Sequence, residues 1–295
     1  MAEKNFLILH RKSANEPYVK EAVKAVRKRG IELRVLVPFN KSEKPRVVQE
    51  ALEHGAERII AGGGDGTINA VANALIGNGK QKPTATLGIF PLGTANDFAR
   101  GCGLPTDNLA ECLSIACTRD GRPTDVGVMN RRFFLNVASM GFGAEITATT
   151  PVQLKKALGG GAYTLMGMVK AMNLTPYTGR LLIPGQDAIE GNLLFGAVAN
   201  NHFAGGGFDI APSAQLDDGL LDLTAIMQSP GFSLPDLRRE LESPMNPENR
   251  FVSYRQLSEF TIETDQKLHC NLDGEPVCKK KLKFGILPKH LRVAY

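Results

Sequence analysis

Residues 1–124 alternate short apolar runs with amphipathic stretches. Phe6-Leu7-Ile8-Leu9 reads as a strand buried on both faces, and Val19, Ala22, Val23 and Val26 then recur at the spacing of one helix face closed by Gly30. A second strand follows over Ile31, Leu33, Val35 and Val37. Val47, Val48, Ala51 and Leu52 mark a second helix ended by Gly55. Arg58 to Ala61 forms a third strand that runs into Gly62-Gly63-Gly64, and Ile68, Val71, Ala72 and Leu75 stripe a third helix. Thr86 to Phe90 leads to the loop Pro91-Leu92-Gly93-Thr94, and Asn108-Leu109-Ala110-Glu111 reads as the capped start of a further helix. Such alternation predicts a parallel sheet covered by helices on both faces.

From Thr124 the period changes to β runs between glycine and proline turns: Asp125 to Met129, Arg132 to Ser139, Asn192 to Ala199, Leu220 to Met227, Glu259 to Thr264 and Lys267 to Leu272. One helical interruption is expected near Pro151 to Met172, and Ser243 to Asn249 reads as a loose segment. Asn130-Arg131 and Asp265-Gln266 are plausible hairpin turns, which parallel strands do not use. The pattern predicts an α/β domain over 1–124, a mainly antiparallel β domain over 125–285 and a C-terminal segment over 286–295.

A chain of 295 residues fits two domains, and 43% hydrophobic with 22% charged residues excludes intrinsic disorder. No apolar run approaches the roughly 18 residues of a membrane-spanning helix, so the chain is expected in the cytoplasm. Five cysteines without a C-x-x-C pair read as reduced core thiols, and His269-Cys270 as a strand with one outward and one inward side chain. The net charge of +5 gathers at Arg11-Lys12, Lys24 to Arg29 and Lys279 to Lys283, which suits phosphate or an anionic membrane surface as well as solvated faces. Aromatics at 6% with no tryptophan argue against nucleic acid as a partner. Glycine is in excess, 31 residues or roughly a tenth of the chain against about 7% on average.

The sharpest local signal is Gly62-Gly63-Gly64-Asp65-Gly66-Thr67, between a strand and a helix. Glycines let backbone N–H groups approach an anion, and the helix N-terminus adds partial positive charge, so the loop suits phosphate. Taken alone it is equally a strand-to-helix turn with Asp65 capping the helix. The second loop, Pro91 to Phe98, follows the next strand and opens at the same sheet edge, where open α/β sheets bind ligands. Thr94 offers a hydroxyl to phosphate, and Asn96-Asp97 reads as either substrate contact or helix cap.

GGGDGTIN at Gly62 to Asn69 and PLGTANDFA at Pro91 to Ala99 resemble the diacylglycerol kinase catalytic family, most closely its bacterial YegS-type lipid kinases. LDDGLLDL at Leu216 to Leu223 and NLDGEP at Asn271 to Pro276 resemble the family's two remaining signatures, in order. The resemblance implies a two-domain kinase with an NAD-kinase-like and diacylglycerol-kinase-like α/β domain, a C-terminal β-sandwich and ATP in the interdomain cleft. By motif, Gly64, Asp65, Gly66, Thr67, Ile68, Asn69, Ala70 and Thr94 bind nucleotide. Gln215, Asp218 and Leu220 hold a structural magnesium ion, or calcium in its place. Glu275 accepts the proton, and Asp65 is the essential acidic residue of the phosphate loop. The implied partner is a membrane lipid substrate, met by peripheral contact with an anionic membrane at its inner face.

The chain departs from the family pattern at Pro38, where a threonine often follows the second strand, and at Ala70, where glutamate is frequent. His10-Arg11-Lys12-Ser13 stands where many members have Asn-Pro-x-Ser-Gly, with Lys12 as a candidate phosphate contact. Two other readings stand beside the lipid kinase. GGDGT also occurs in kinases of soluble NAD, and Pro38 with Ala70 fits a nucleotide-binding regulator that has lost catalysis.

Overall fold

The structure is a computed structural model that describes residues 4–141 and 175–295. The helical stretch expected near Pro151 to Met172 lies outside the described residues. The chain divides into two compact units, Met1–Val126 with Leu287–Tyr295, and Gly127–Ile286.

In the first unit β1 (Asn5–Leu9), β2 (Leu33–Leu36), β3 (Arg58–Gly63) and β4 (Thr86–Pro91) alternate with α1 (Pro17–Lys28), α2 (Lys44–Glu53) and α3 (Asp65–Ile76), followed by α4 (Asp97–Gly101) and α5 (Leu109–Thr118). β1 pairs in parallel with β2 and β3, and β3 with β4. Every residue of β1, β3 and β4 is buried, as the uninterrupted apolar runs require of strands covered on both faces. α1 buries Val19, Ala22, Val23 and Val26, the four residues of its stripe. Asn108 caps α5, its Oδ1 accepting the N–H of Glu111 at 3.1 Å. The chain's last residues return to this sheet, Val293 and Ala294 pairing in parallel with Leu87 and Gly88. That return is held by Lys289, whose N–H donates to the fully buried Asp125 carboxylate at 2.5 Å.

The second unit is built on antiparallel pairs. β5 (Arg122–Met129) turns through Asn130 and Arg131, at φ 46° and 67°, into β6 (Arg132–Phe134). β7 (Val137–Gly141), β8 (Tyr177–Leu182), β9 (Ile189–Ala199), the short β10 (Phe203–Ala204) and β11 (Phe208–Asp209), β12 (Leu221–Met227), α6 (Leu234–Glu242), β13 (Val252–Leu257), β14 (Glu259–Leu272) and β15 (Glu275–Ala294) follow. β7 and β8 share one lane between β9 and β14. β7 covers Phe195 to Ala199 and Cys270 to Leu272, and β8 continues the lane over Ile189 to Leu193 and Thr261 to Thr264. The core joins Phe134, Met140, Val198, Leu268 and Leu282, with Phe260 stacked on Phe284 at 5.0 Å between ring centres.

Three expectations are corrected. Arg132 to Ser139 is not one strand: it breaks at Leu135-Asn136, where backbone N–H groups turn to a carboxylate from another segment. Asp265-Gln266 is no hairpin but lies in an irregularity of pairing within the continuous β14, between Glu263 and Leu268. Ser243 to Asn249 is not loose. Asn249 Nδ2 donates to the Ser243 carbonyl at 2.9 Å, and the buried Glu240 carboxylate accepts the N–H groups of Arg250, Phe251 and Val252 that follow. Four cysteines are buried thiols, as expected of the set, but Cys278 is exposed. Burial pushes the Cys112 thiol up to about 11 and that of Cys270 to about 12.

Candidate functional site

In the first unit the two glycine loops meet. β3 passes through Gly64 into α3, and β4 through Leu92 and Gly93 to α4. The Leu92 N–H donates to the Gly63 carbonyl at 2.9 Å. A Cβ on Gly93 would lie 2.5 Å from the Gly64 Cα, so the second loop packs backbone to backbone against the first and only glycine fits. Asn96 closes its own loop from a left-handed conformation, φ 52°. Its Oδ1 accepts the Gly93 N–H at 2.8 Å and its Nδ2 donates to the Gly93 carbonyl at 3.0 Å.

Asp65 ties the loops. Its carboxylate accepts the N–H of Asp97 at 3.3 Å and of Phe98 at 3.0 Å, so it caps α4 across the gap and not its own helix α3. Asn96 stands at the N-cap position of α4 without a capping side-chain bond. The carboxylate is thus turned onto the amides of α4, and Asp65 is not among the residues that line the cavity against its own turn.

That turn walls a cavity of about 380 Å³ together with His10, Arg11, Ser13, Pro38, Phe39 and Lys44. Gly64, Gly66 and Thr67 line it, and Thr94 is exposed on the loop beside Gly93. Ile68 is buried in the core, the buried Asn69 Oδ1 accepts from Asn73 at 2.7 Å, and Ala70 is half-buried on α3. Lys12, the expected cation, is exposed and does not line the cavity, whereas Arg11 does. Burial lowers the His10 pKa first, and the charges of Lys44 and Lys12 lower it further. Lys44 escaped the sequence reading. The signal was present, since Lys44, Val47, Val48 and Ala51 fall on one buried helix face.

In the second unit Gln215, Asp218 and Leu220 lie on one turn before β12. Asp218 Oδ1 accepts the Leu220 N–H at 2.9 Å, and Gly219 takes the positive φ of 77° that the turn needs. Two residues into β12 stands Asp222, fully buried. Its Oδ1 accepts from the Tyr254 hydroxyl and from Gln256 at 3.2 Å, while Oδ2 is buried without a hydrogen bond. Burial, then the charge of Asp218, raises the Asp222 pKa, against the hydrogen bonds that lower it. Gln215, Asp218 and Leu220 offer only oxygen donors, the kind a hard divalent cation takes, while among the described residues no group of three His, Cys, Asp or Glu stands together to hold a metal.

The Asn271-to-Pro276 signature is a two-residue hairpin between β14 and β15. Asp273 and Gly274 both have positive φ, 45° and 96°, and the Gly274 N–H donates to Asn271 Oδ1 at 2.7 Å. Asp273 accepts from the backbone of Leu135 at 2.7 Å, Asn136 at 3.2 Å and Val137 at 2.9 Å, which anchors the hairpin to that segment. Glu275, half-buried, is the first residue after that fixed turn.

The diacylglycerol kinase catalytic domain matches residues 4–129, and the YegS C-terminal NAD kinase beta sandwich-like domain matches residues 136–295. A Chromohalobacter salexigens protein named probable lipid kinase YegS-like is 44% identical, over 98% of this chain and 92% of that one. A Shewanella frigidimarina protein of the same name is 38% identical over 97% and 92%. A diacylglycerol kinase structure from Bacillus anthracis superposes with a TM-score of 0.75 at 20% identity, covering 99% of this chain and 97% of that one. An ATP complex of an Archaeoglobus fulgidus NAD kinase shares the fold more distantly, with a TM-score of 0.54 at 11% identity over 99% and 93%. The chain therefore belongs to the diacylglycerol kinase catalytic family, in its YegS-like lipid kinase branch.

Proposed function

We propose that this chain transfers the γ-phosphate of ATP to a free hydroxyl of a membrane lipid. The observation that carries the reading is the cavity against the Gly63-to-Thr67 turn, whose wall of backbone and basic side chains suits a polyphosphate. Gly64, Gly66 and Thr67 contact the phosphates, Ile68, Asn69 and Ala70 seat the turn on α3, and Thr94 adds a hydroxyl. Asp65 positions the two loops. As the lipid oxygen bonds to the γ-phosphorus, the bond from that phosphorus to the departing ADP oxygen breaks, and Glu275 takes the hydroxyl proton. Gln215, Asp218 and Leu220 hold magnesium, or calcium, which would stiffen the turn before β12.

The membrane is met from the cytoplasmic side. Among the described residues no helix is long and apolar enough to cross it. The basic run of β15 is the proposed contact through Lys279 and Lys280, since Lys281 is paired with Glu263 at 2.6 Å. Radiolabelled ATP assayed against diacylglycerol, phosphatidylglycerol, a sphingoid base and NAD tests the reading. Label in a lipid product is expected, and label only in NADP, or in no product, overturns it. Glu275→Gln should then lower kcat by about 10²–10⁴ with ATP affinity retained.

A further inference from the structure

We propose that Lys44 is a phosphate-binding side chain, its ammonium group neutralising the polyphosphate held at the Gly63-to-Thr67 turn. The inference rests on the nucleotide reading above and adds to it a residue outside all four sequence signatures.

Lys44 occupies the first position of a stripe that continues through Val47, Val48 and Ala51, where an aliphatic side chain would serve packing better. It is 5% exposed and lines the cavity, where a charge is screened less than on an open surface. It also sits in the first turn of α2, where the helix dipole opposes a cation. Lys44 shares its cavity with Gly63, Gly64 and Thr67, and Arg11 lies on the same wall. Pro38 lines the cavity as well, with neither hydroxyl nor N–H to give. Lys44 supplies positive charge close by, near enough to act on the His10 ring.

Calorimetry on the full chain, with ATP, inorganic tripolyphosphate and adenosine as separate probes, tests this. Lys44→Met should weaken ATP and tripolyphosphate by about 10- to 100-fold and leave adenosine unchanged, and Lys44→Arg should recover part of the loss. Unchanged tripolyphosphate affinity in folded Lys44→Met overturns the proposal. An equal loss for adenosine does so too, because it marks a packing role. Should the variants fail to fold, the ammonium ¹⁵N resonance of Lys44 in wild-type protein is expected to shift as tripolyphosphate saturates, and a static resonance overturns the proposal. Wild-type protein that binds neither ATP nor tripolyphosphate defeats the nucleotide reading itself. Wild-type protein that binds both, with Lys44→Met its equal, defeats only the role of Lys44.

Discussion

Asp65 in the first unit and Asp273 in the second stand in glycine-bearing turns of signature motifs, and each spends its carboxylate on backbone N–H groups of a distant segment. Asp65 takes two amides of the start of α4 and so closes one loop onto another around a cavity. Asp273 takes the amides of Leu135, Asn136 and Val137, breaks a strand there and fixes the hairpin that presents Glu275. The first clamp shapes a place for a ligand, and the second orients a side chain. The contrast teaches that one motif residue type, an aspartate accepting backbone N–H groups, can either close two loops on each other or fix a hairpin, according to which segment it reaches.

Stability is expected to separate the two clamps most. Asp273→Ala leaves the amides of Leu135, Asn136 and Val137 short of an acceptor and should cost about 3–5 kcal/mol, read as a lowered denaturant midpoint. A loss under about 1 kcal/mol would mean that the hairpin holds without it. Asp65→Ala removes an acceptor from two amides only and should cost about 1–3 kcal/mol, with a proportionally larger loss of ATP affinity. If affinity is spared, Asp65 does not shape the cavity. Gly93→Ala presses a methyl group on the Gly64 backbone and should cost about 1–3 kcal/mol while weakening nucleotide binding. Full retention of both would show that the loops separate freely.

The smallest effect concerns charge. His10 titrates below its ordinary value in the folded chain, through burial and then Lys44 and Lys12. The unfolded chain therefore takes up a proton first, and stability falls as pH drops through about 6.5. His10→Gln should flatten that part of the pH profile of unfolding, and an unaltered slope would place its origin elsewhere.

The parallel sheet was legible because β1, β3 and β4 are buried on both faces and β1 and β3 are each followed by a striped helix. The second unit was read less well, for reasons local to its residues. The polar run Thr264 to Lys267 looks like a turn, yet it sits in the pairing irregularity of one strand, while the true turn is at Asp273-Gly274. β8 and β13 carry mixed sequences, YTGRLL and VSYRQL, whose alternation is too weak to announce a strand. At the candidate site the two glycine loops were legible as strand-to-helix turns opening at one sheet edge, where they meet. The partners of Asp65 and Asp273 were not, because they lie on segments remote in sequence. Lys44 was hidden by its own chemistry, since a lysine among charged residues reads as solvated unless the helix face is counted through it.

The shared lane of β7 and β8 has a consequence for how such chains diversify. β8 takes its register from β9 and β14, and not from the strand that precedes it in the lane. Each half of the lane can therefore vary in sequence without shifting the other half or the hairpin that bears Glu275, because each is aligned by its own stretch of β9 and β14.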